Sequence, residues 1–255
     1  MRAMIFAAGL GTRLKPLTDT MPKALVPLAG KSLLAWQVEK LRDAGITDVI
    51  VNVHHFPNQI IEVVQANNGW GCNITISDER DQLLDTGGGL KKAILDFGLS
   101  MQKEPILACN VDILSNIDLK SLIASYEQTG VSQLVVSERT TQRYLCFDEK
   151  GWLQGWTNIA TGDVKPSVIR NRLSDLRKLA FSGMQILSPE VLRILIQMAQ
   201  MKFSLIDFYL SVCERNLSPL LQAYVPTDYR MMDVGKIDQI TEAEAFAERL
   251  LPCRQ

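Results

Sequence analysis

The sequence predicts an α/β protein: a mixed, mostly parallel sheet covered by helices on both faces, with a β-rich extension. Three observations carry this expectation. Short apolar runs alternate with amphipathic stretches through about residue 130. Consecutive β-like segments replace that rhythm between residues 132 and 157, and strand and helix patterns return from residue 180.

Each element has a local reason. Residues 3–8 form an apolar run that stops at Gly9, as a buried strand delivering a loop would. A stretch rich in Gly, Pro and Thr follows, from Gly9 to Gly30. Ser32 opens a helical pattern (Leu33, Leu34, Trp36, Gln37, Leu41) that closes at Gly45, with Lys40 and Arg42 in its last turn. Asp48–Val53 reads as a strand, Pro57–Asn67 as a helix and Asn73–Ser77 as a strand. Gly89–Phe97 has a helical pattern, Pro105–Asn110 that of a strand and Ile117–Gln128 that of a helix. Strands so apolar, spaced by helices, belong to a sheet buried on both faces. Ser132–Arg139, Arg143–Asp148 and Trp152–Thr157 are the β-like segments, with Asp148–Gly151 as a hairpin turn. Ala180–Leu187 is the returning strand, followed by helices over Pro189–Met201, Ile206–Arg215 and Ile237–Leu250. No linker, repeat or low-complexity tract divides the 255 residues, so a single domain is expected.

Charge narrows the partners. The chain has 27 Lys+Arg, 28 Asp+Glu and 2 His, a formal net charge of -1. A dedicated nucleic-acid binder is usually strongly basic, so none is expected here. The distribution is uneven: residues 1–36 hold five Lys/Arg and one acid, giving +4 and leaving -5 for the remainder. Local positive charge of that kind suits a small polyanion. The five cysteines, Cys72, Cys109, Cys146, Cys213 and Cys253, are irregularly spaced and form no C-x-x-C pair. An odd count, with no signal-like or membrane-length apolar run, points to a reducing, cytoplasmic setting and no membrane partner.

The chemistry concentrates at the first loop. Ala8-Gly9-Leu10-Gly11-Thr12-Arg13 leaves the first strand, and Lys15, Lys23 and Lys31 follow. Glycines let backbone approach a ligand, and consecutive N–H groups after a strand form a phosphate-sized nest. Two commoner phosphate motifs fail. Leu14 stands where G-x-G-x-x-G needs its third glycine, and Leu25 where a Walker A sequence ending at Gly30-Lys31-Ser32 needs its first.

Gly9-Leu10-Gly11-Thr12-Arg13, then Pro16-Leu17-Thr18 and Pro22-Lys23-Ala24-Leu25-Val26-Pro27, resemble the signature of the sugar-1-phosphate nucleotidyltransferases. Asp85-Thr86-Gly87-Gly88-Gly89, Asn110-Val111-Asp112, Phe181-Ser182-Gly183 and Asp233-Val234-Gly235 are similar to later landmarks of that family, in order. The likeness extends to its short branch of mannose-1-phosphate guanylyltransferases and N-acetylmuramate-1-phosphate uridylyltransferases. It implies a three-layer Rossmann-like nucleotidyltransferase fold, with a nucleotide half near 1–130 and a sugar-phosphate half near 131–255. It also implies a nucleoside triphosphate (UTP or GTP), a sugar 1-phosphate, Mg²⁺ as cofactor, and a monomer or homodimer.

The residue roles follow from the same resemblance. Arg13, Lys23 and Asp112 are the expected catalytic residues. Ala8, Gly9, Leu10, Gly11, Thr12, Arg13, Lys23, Gly87 and Gly88 are the expected nucleotide contacts. Asn110, Lys165, Gly183 and Asp207 are expected on the sugar side, with Asp112 and Asp233 as metal ligands. The basic residues from Arg170 to Lys178 either supplement the phosphate site or form a solvated face. Val111 replaces the usual glycine before Asp112, and Ser32 replaces a common proline and is expected to cap a helix. Two rival readings keep part of this chemistry: a phosphocholine-type cytidylyltransferase, and a catalytically silent nucleotide-sugar-binding subunit. His54-His55, Trp152, Trp156 and Cys109 are expected to serve packing and hydrogen bonding rather than chemistry.

Overall fold

Alternation along the central strands decides the architecture. On β1 (Arg2–Phe6), Ala3 and Ile5 join one buried cluster while Met4 and Phe6 join another. The same split recurs in the other central strands, so the sheet is buried on both faces and needs helices on each. The computed structural model describes residues 1–97, 104–215 and 219–250.

A short hairpin, β2 (Pro27–Leu28) and β3 (Lys31–Ser32), precedes α1 (Leu33–Asp43). Ser32 caps that helix as expected, its Oγ accepting from Ala35 N at 3.1 Å. The alternating half continues with β4 (Asp48–Val53), α2 (Pro57–Ala66), β5 (Asn73–Asp78) and α3 (Asp85–Asp96). It ends with β6 (Ile106–Asn110), β7 (Ile113–Ser115) and α4 (Leu119–Thr129). The extension comprises β8 (Ser132–Ser137), β9 (Arg143–Phe147), β10 (Leu153–Asn158), β11 (Asp163–Lys165) and β12 (Arg177–Leu187). The chain finishes with α5 (Pro189–Leu195), α6 (Leu205–Glu214), β13 (Leu221–Tyr224), β14 (Met231–Asp233) and α7 (Ile240–Leu250).

The main sheet runs β11-β10-β9-β12-β6-β1-β4-β5, with β8 joining β12 to β13. Its β6-β1-β4-β5 part is parallel, and the extension adds antiparallel pairings through β12, β9 and β10. Register sets where the strands stop. Phe6 lies beside Asn52 on one side and Asn110 on the other, so β1, β4 and β6 end at one level. Ligands of open α/β sheets gather at that edge. Helices α1, α2, α4 and α7 cover one face, and α3, α5 and α6 cover the other. Among the described residues no helix is long and apolar enough to cross a membrane.

Boundaries differ from the sequence pattern where distant contacts intervene. Helix α3 begins at Asp85, so Gly87-Gly88-Gly89 lies inside it rather than before it. The helix expected to reach Met201 stops at Leu195, because the following chain is drawn across α3 instead. Gly87 and Gly88 both donate backbone N–H to Phe203 O, at 2.9 and 3.0 Å, and Lys91 Nζ donates to Met198 O at 2.5 Å. A Cβ on Gly87 would meet the Phe203 ring at 2.5 Å, and one on Gly88 would overlap the Met201 carbonyl oxygen. Strands β7, β11, β13 and β14 carry no expectation from the sequence, and each is four residues or fewer. Strands that short have too few side chains to show alternation.

Since backbone blocks Gly88, the Gly88→Ala protein should lose about 2 kcal/mol or more. For a domain of this size that lowers Tm by roughly 4 °C or more, read by circular dichroism. An unchanged Tm would contradict the packing described for α3.

Candidate active site

The loop leaving β1 is shaped by one glycine and opened by another. Gly11 has φ +64°, and a Cβ there would stand 2.8 Å from Thr18 Cγ2 and 3.0 Å from Lys23 Cβ. That left-handed turn lets the chain fold back, where Leu14 N and Thr18 Oγ1 donate to Gly11 O at 2.8 and 2.9 Å. Lys23 is thereby carried under the loop and buried. Gly9 has nothing within 4 Å of the same position and borders open space.

That space is a cleft of about 550 Å³ at the edge where β1, β4 and β6 end. Ala8, Gly9, Leu10, Gly11, Thr12 and Arg13 form one wall. Lys23, Asn110, Asp112 and Gly235 also line it, as do Asp85, Thr86 and Lys202. At its floor Lys23 Nζ is ion-paired with Asp112 Oδ2, both side chains being mostly buried.

Asp233 reaches the same place by a different route. β14 pairs antiparallel with β7, setting Asp233 opposite Ile113, and Val234 N donates to Asp112 O at 2.9 Å. A Cβ on Gly235 would sit 2.8 Å from Asp233 Oδ1 and 3.0 Å from an Arg13 guanidinium nitrogen, so its bareness lets those groups converge. Asp233 is open to water at the cleft mouth, yet enough protein surrounds it that desolvation raises its carboxyl above the usual range. Asp112 pushes it further up, while Lys23, Arg13 and Arg139 pull it down.

Helix α1 supports this corner from behind. Gln37 Nε2 donates to Ile113 O at 2.6 Å, and Lys40 donates to Ser115 O and, at 3.1 Å, to Ser115 Oγ. Burial pushes the Lys40 ammonium down to about 8. A second cavity of about 610 Å³ lies between α1 and the chain from Leu114 to Lys120. Lys31 lines it, ion-paired with Glu39, but none of the expected catalytic, nucleotide, sugar or metal contacts does.

Two carboxylates with hard oxygen donors suit a cation that keeps much of its shell for water and phosphate. Among the described residues no group of three or more His, Cys, Asp or Glu could cage a metal unaided. Asp112 and Asp233 therefore suit a divalent cation held jointly by protein and a phosphate-bearing ligand.

Other expected residues lie elsewhere. Gly87 and Gly88 are buried against Met201 and Phe203 and do not line the cleft. Asp207 belongs to the capping box of α6, its Oδ2 accepting from Ser204 Oγ at 2.7 Å and from Ser204 N at 3.3 Å. Lys165, on edge strand β11, lies over the Trp156 ring at 5.9 Å and does not line the cleft. Gly183 (φ +68°) does approach it, a Cβ there being 3.0 Å from Asn110 Nδ2. Arg170, Arg172, Arg177 and Lys178 are exposed and outside the cleft lining. His54 and His55 contact the carbonyls of Glu79 and Thr18, and Cys109 is a buried thiol raised to about 12 by desolvation. Sequence reasoning singles out neither Asn52 nor Arg139. A polar residue inside the apolar run of β4 is the available signal for Asn52.

Residues 2–249 match the Nucleotidyl transferase family. The chain belongs to that family. Among curated relatives, the N-acetylmuramate alpha-1-phosphate uridylyltransferase of Caulobacter vibrioides is 32% identical over 199 residues, 74% of this chain and 76% of that protein. The Neisseria meningitidis protein of the same name is 40% identical over 118 residues, 46% and 49% of the two chains. A mannose-1-phosphate guanyltransferase of Neurospora crassa is 37% identical over 138 residues, covering 53% of this chain and 37% of its own length. The chain thus spans three quarters of the first relative and half or less of the other two. In fold, a UDP-glucose pyrophosphorylase from Acinetobacter baumannii superposes with TM-score 0.75 at 16% identity, covering 99% of this chain and 94% of its own. HddC from Yersinia pseudotuberculosis, solved with GMP-PN, gives TM-score 0.70 at 22%, covering 96% and 99%. This nucleotidyl transferase family member therefore shares its fold with those proteins over almost its whole length.

A raised carboxyl means the folded state holds that proton more tightly than the unfolded chain. Ionising Asp233 therefore costs stability once pH exceeds the ordinary carboxylate value. Without metal, Asp233→Asn should have a higher Tm than the parent at about pH 7–8. The difference should vanish as pH falls below about 4, where both forms are neutral. A metal-free Tm below the parent's at neutral pH would contradict this environment.

Proposed function

We propose that the chain transfers a nucleotidyl group from a nucleoside triphosphate to a sugar 1-phosphate, forming an NDP-sugar and pyrophosphate. The observation that carries this reading is the convergence of Arg13, Lys23, Asp112 and Asp233 on one corner of the cleft, beside a glycine-opened backbone loop. Two anions must approach each other there, so positioning and charge stabilisation dominate the barrier.

An oxygen of the sugar phosphate forms a bond to the α-phosphorus, and the bond to the pyrophosphate oxygen breaks with its electron pair. The attacking phosphate is already ionised, so no general base is required. N–H groups of the Gly9–Arg13 loop and the Arg13 guanidinium take the β- and γ-phosphates, the guanidinium fork suiting two oxygens at once. Lys23, aimed by Asp112, lies between the two phosphates and offsets the charge developing at the transferred one. Mg²⁺, held by Asp112 and Asp233, would supply further positive charge to the phosphate oxygens when bound. We assign the nucleotide to residues 1–130 and the sugar to 131–255, with Asn110 and Gly183 at the boundary.

UTP with N-acetylmuramate 1-phosphate is the pair we favour, because two relatives bear that activity in their names. GTP with mannose 1-phosphate is the second pair, supported by the guanyltransferase match. Four cysteines, Cys72, Cys109, Cys146 and Cys213, are free thiols, which suits a cytoplasmic enzyme.

Pyrophosphate release across four nucleoside triphosphates and a panel of sugar 1-phosphates tests the reading. Release from one pair, abolished by chelation and restored by Mg²⁺, is expected. No release from any pair would leave only a binding protein. Lys23→Ala should lower kcat by roughly 10²–10³, and an unchanged kcat would remove Lys23 from the chemistry.

A further inference from the structure

Beneath the cleft lies a carboxylate that the reaction does not use. Glu79, directly after β5, is 2% exposed and takes part in no ion pair among the described residues. A charge at that depth is costly unless its oxygens are hydrogen-bonded. Oε1 accepts from Asn52 Nδ2 at 2.7 Å, and Oε2 accepts from Leu84 N at 3.1 Å. Asn52 itself accepts, through Oδ1, from Ala7 N at 2.8 Å. One continuous chain of hydrogen bonds, converging on the Glu79 carboxylate from both ends, thus runs from the exit of β1 to the start of α3.

Its two ends are the two walls of the cleft. Ala7 leads directly into the Gly9–Arg13 loop, and Leu84 stands between Leu83 and Asp85-Thr86, all of which line the cleft. Gly89 leaves room for the junction, since a Cβ there would stand 2.6 Å from Glu79 Oε1 and 2.9 Å from Asn52 Nδ2. Burial raises the Glu79 carboxyl, and the hydrogen bonds from Asn52 and Leu84 act against that. Both neighbours of the carboxylate are donors, so only an acceptor with two free oxygens satisfies them.

We propose that Glu79 is a positioning residue for the nucleotide, fixing the spacing between the phosphate loop and the Leu83–Thr86 wall through Asn52 and the Leu84 N–H. This rests on reading the cleft as the nucleotide site. Glu79 itself touches no reacting group, so it acts on nucleotide binding rather than on bond formation.

Polarity makes the test specific. Glu79→Gln places an NH₂ against one of two donors and breaks one hydrogen bond. Asn52→Asp places two carboxylates face to face. The double variant N52D/E79Q reverses the middle bond. Its carboxylate at position 52 accepts from both Ala7 N and the side-chain amide at position 79, whose oxygen still accepts from Leu84 N. We expect E79Q to raise both KM and Kd for the nucleoside triphosphate roughly tenfold. Its kcat and its KM for the sugar 1-phosphate should stay within about twofold, and N52D/E79Q should recover most of the lost affinity. Equal nucleotide affinity in parent and E79Q overturns the proposal, as does equal weakening of both substrates. A double variant no better than the worse single also overturns it. If E79Q does not fold, a folded, nucleotide-binding N52D/E79Q supports the proposal, and an unfolded one overturns it. A parent protein that neither releases pyrophosphate nor binds any nucleotide fails the functional reading itself, a result separable from all the others.

Discussion

The ion pair between Lys23 and Asp112 is the constraint on which the rest of the cleft depends. Its partners come from two distant stretches of chain: a turn after the first loop, and the connection between β6 and β7. Removing either would leave a mostly buried charge uncompensated, so each fixes the place of the other. The left-handed turn at Gly11 lets Lys23 pass beneath the loop, and the β7–β14 pairing brings Asp233 to the same corner. An anion-binding loop, a buried ammonium and two carboxylates are thus assembled from four separate stretches of chain.

The sheet makes that assembly possible without a large basic surface. β1, β4 and β6 end in register, so Phe6, Asn52 and Asn110 stand at one level and the chemistry begins immediately beyond them. Both faces of these strands are buried, which leaves the edge of the sheet as the natural opening. Behind it α1 grips β7 through Gln37 and Lys40, using backbone carbonyls rather than acids as partners. The near-neutral total charge is therefore compatible with a polyanion site, because its positive groups are concentrated at one corner.

Legibility in the sequence tracks the range of the interactions. Central strands and helices are readable because burial imprints a period on neighbouring residues. The Gly9–Arg13 loop, Lys23 and Asp112 are readable because unusual residue types stand together or end an apolar strand. Gly87 and Gly88 read as nucleotide contacts but are packing positions. Glycine signals that something approaches closely, and what approaches is the Phe203 ring and the Met201 backbone, more than one hundred residues away. Asp207 is different, since Ser204-x-x-Asp207 before an apolar run is a local capping pattern and is open to reading. Asn52 and Glu79 gain meaning only when β4 and β5 pair, because the hydrogen bond between them joins residues 27 apart in the chain.

Two distant carboxylates sharing one cation above Lys23 form the centre of the proposed mechanism. Anomalous diffraction from a crystal soaked with Mn²⁺ and a non-hydrolysable nucleoside triphosphate measures this directly. A single Mn²⁺ peak within bonding distance of both Asp112 and Asp233, with the phosphates against Arg13 and Lys23, is the predicted result. A cation bound away from that pair, or phosphates seated outside the Gly9–Arg13 loop, would contradict it.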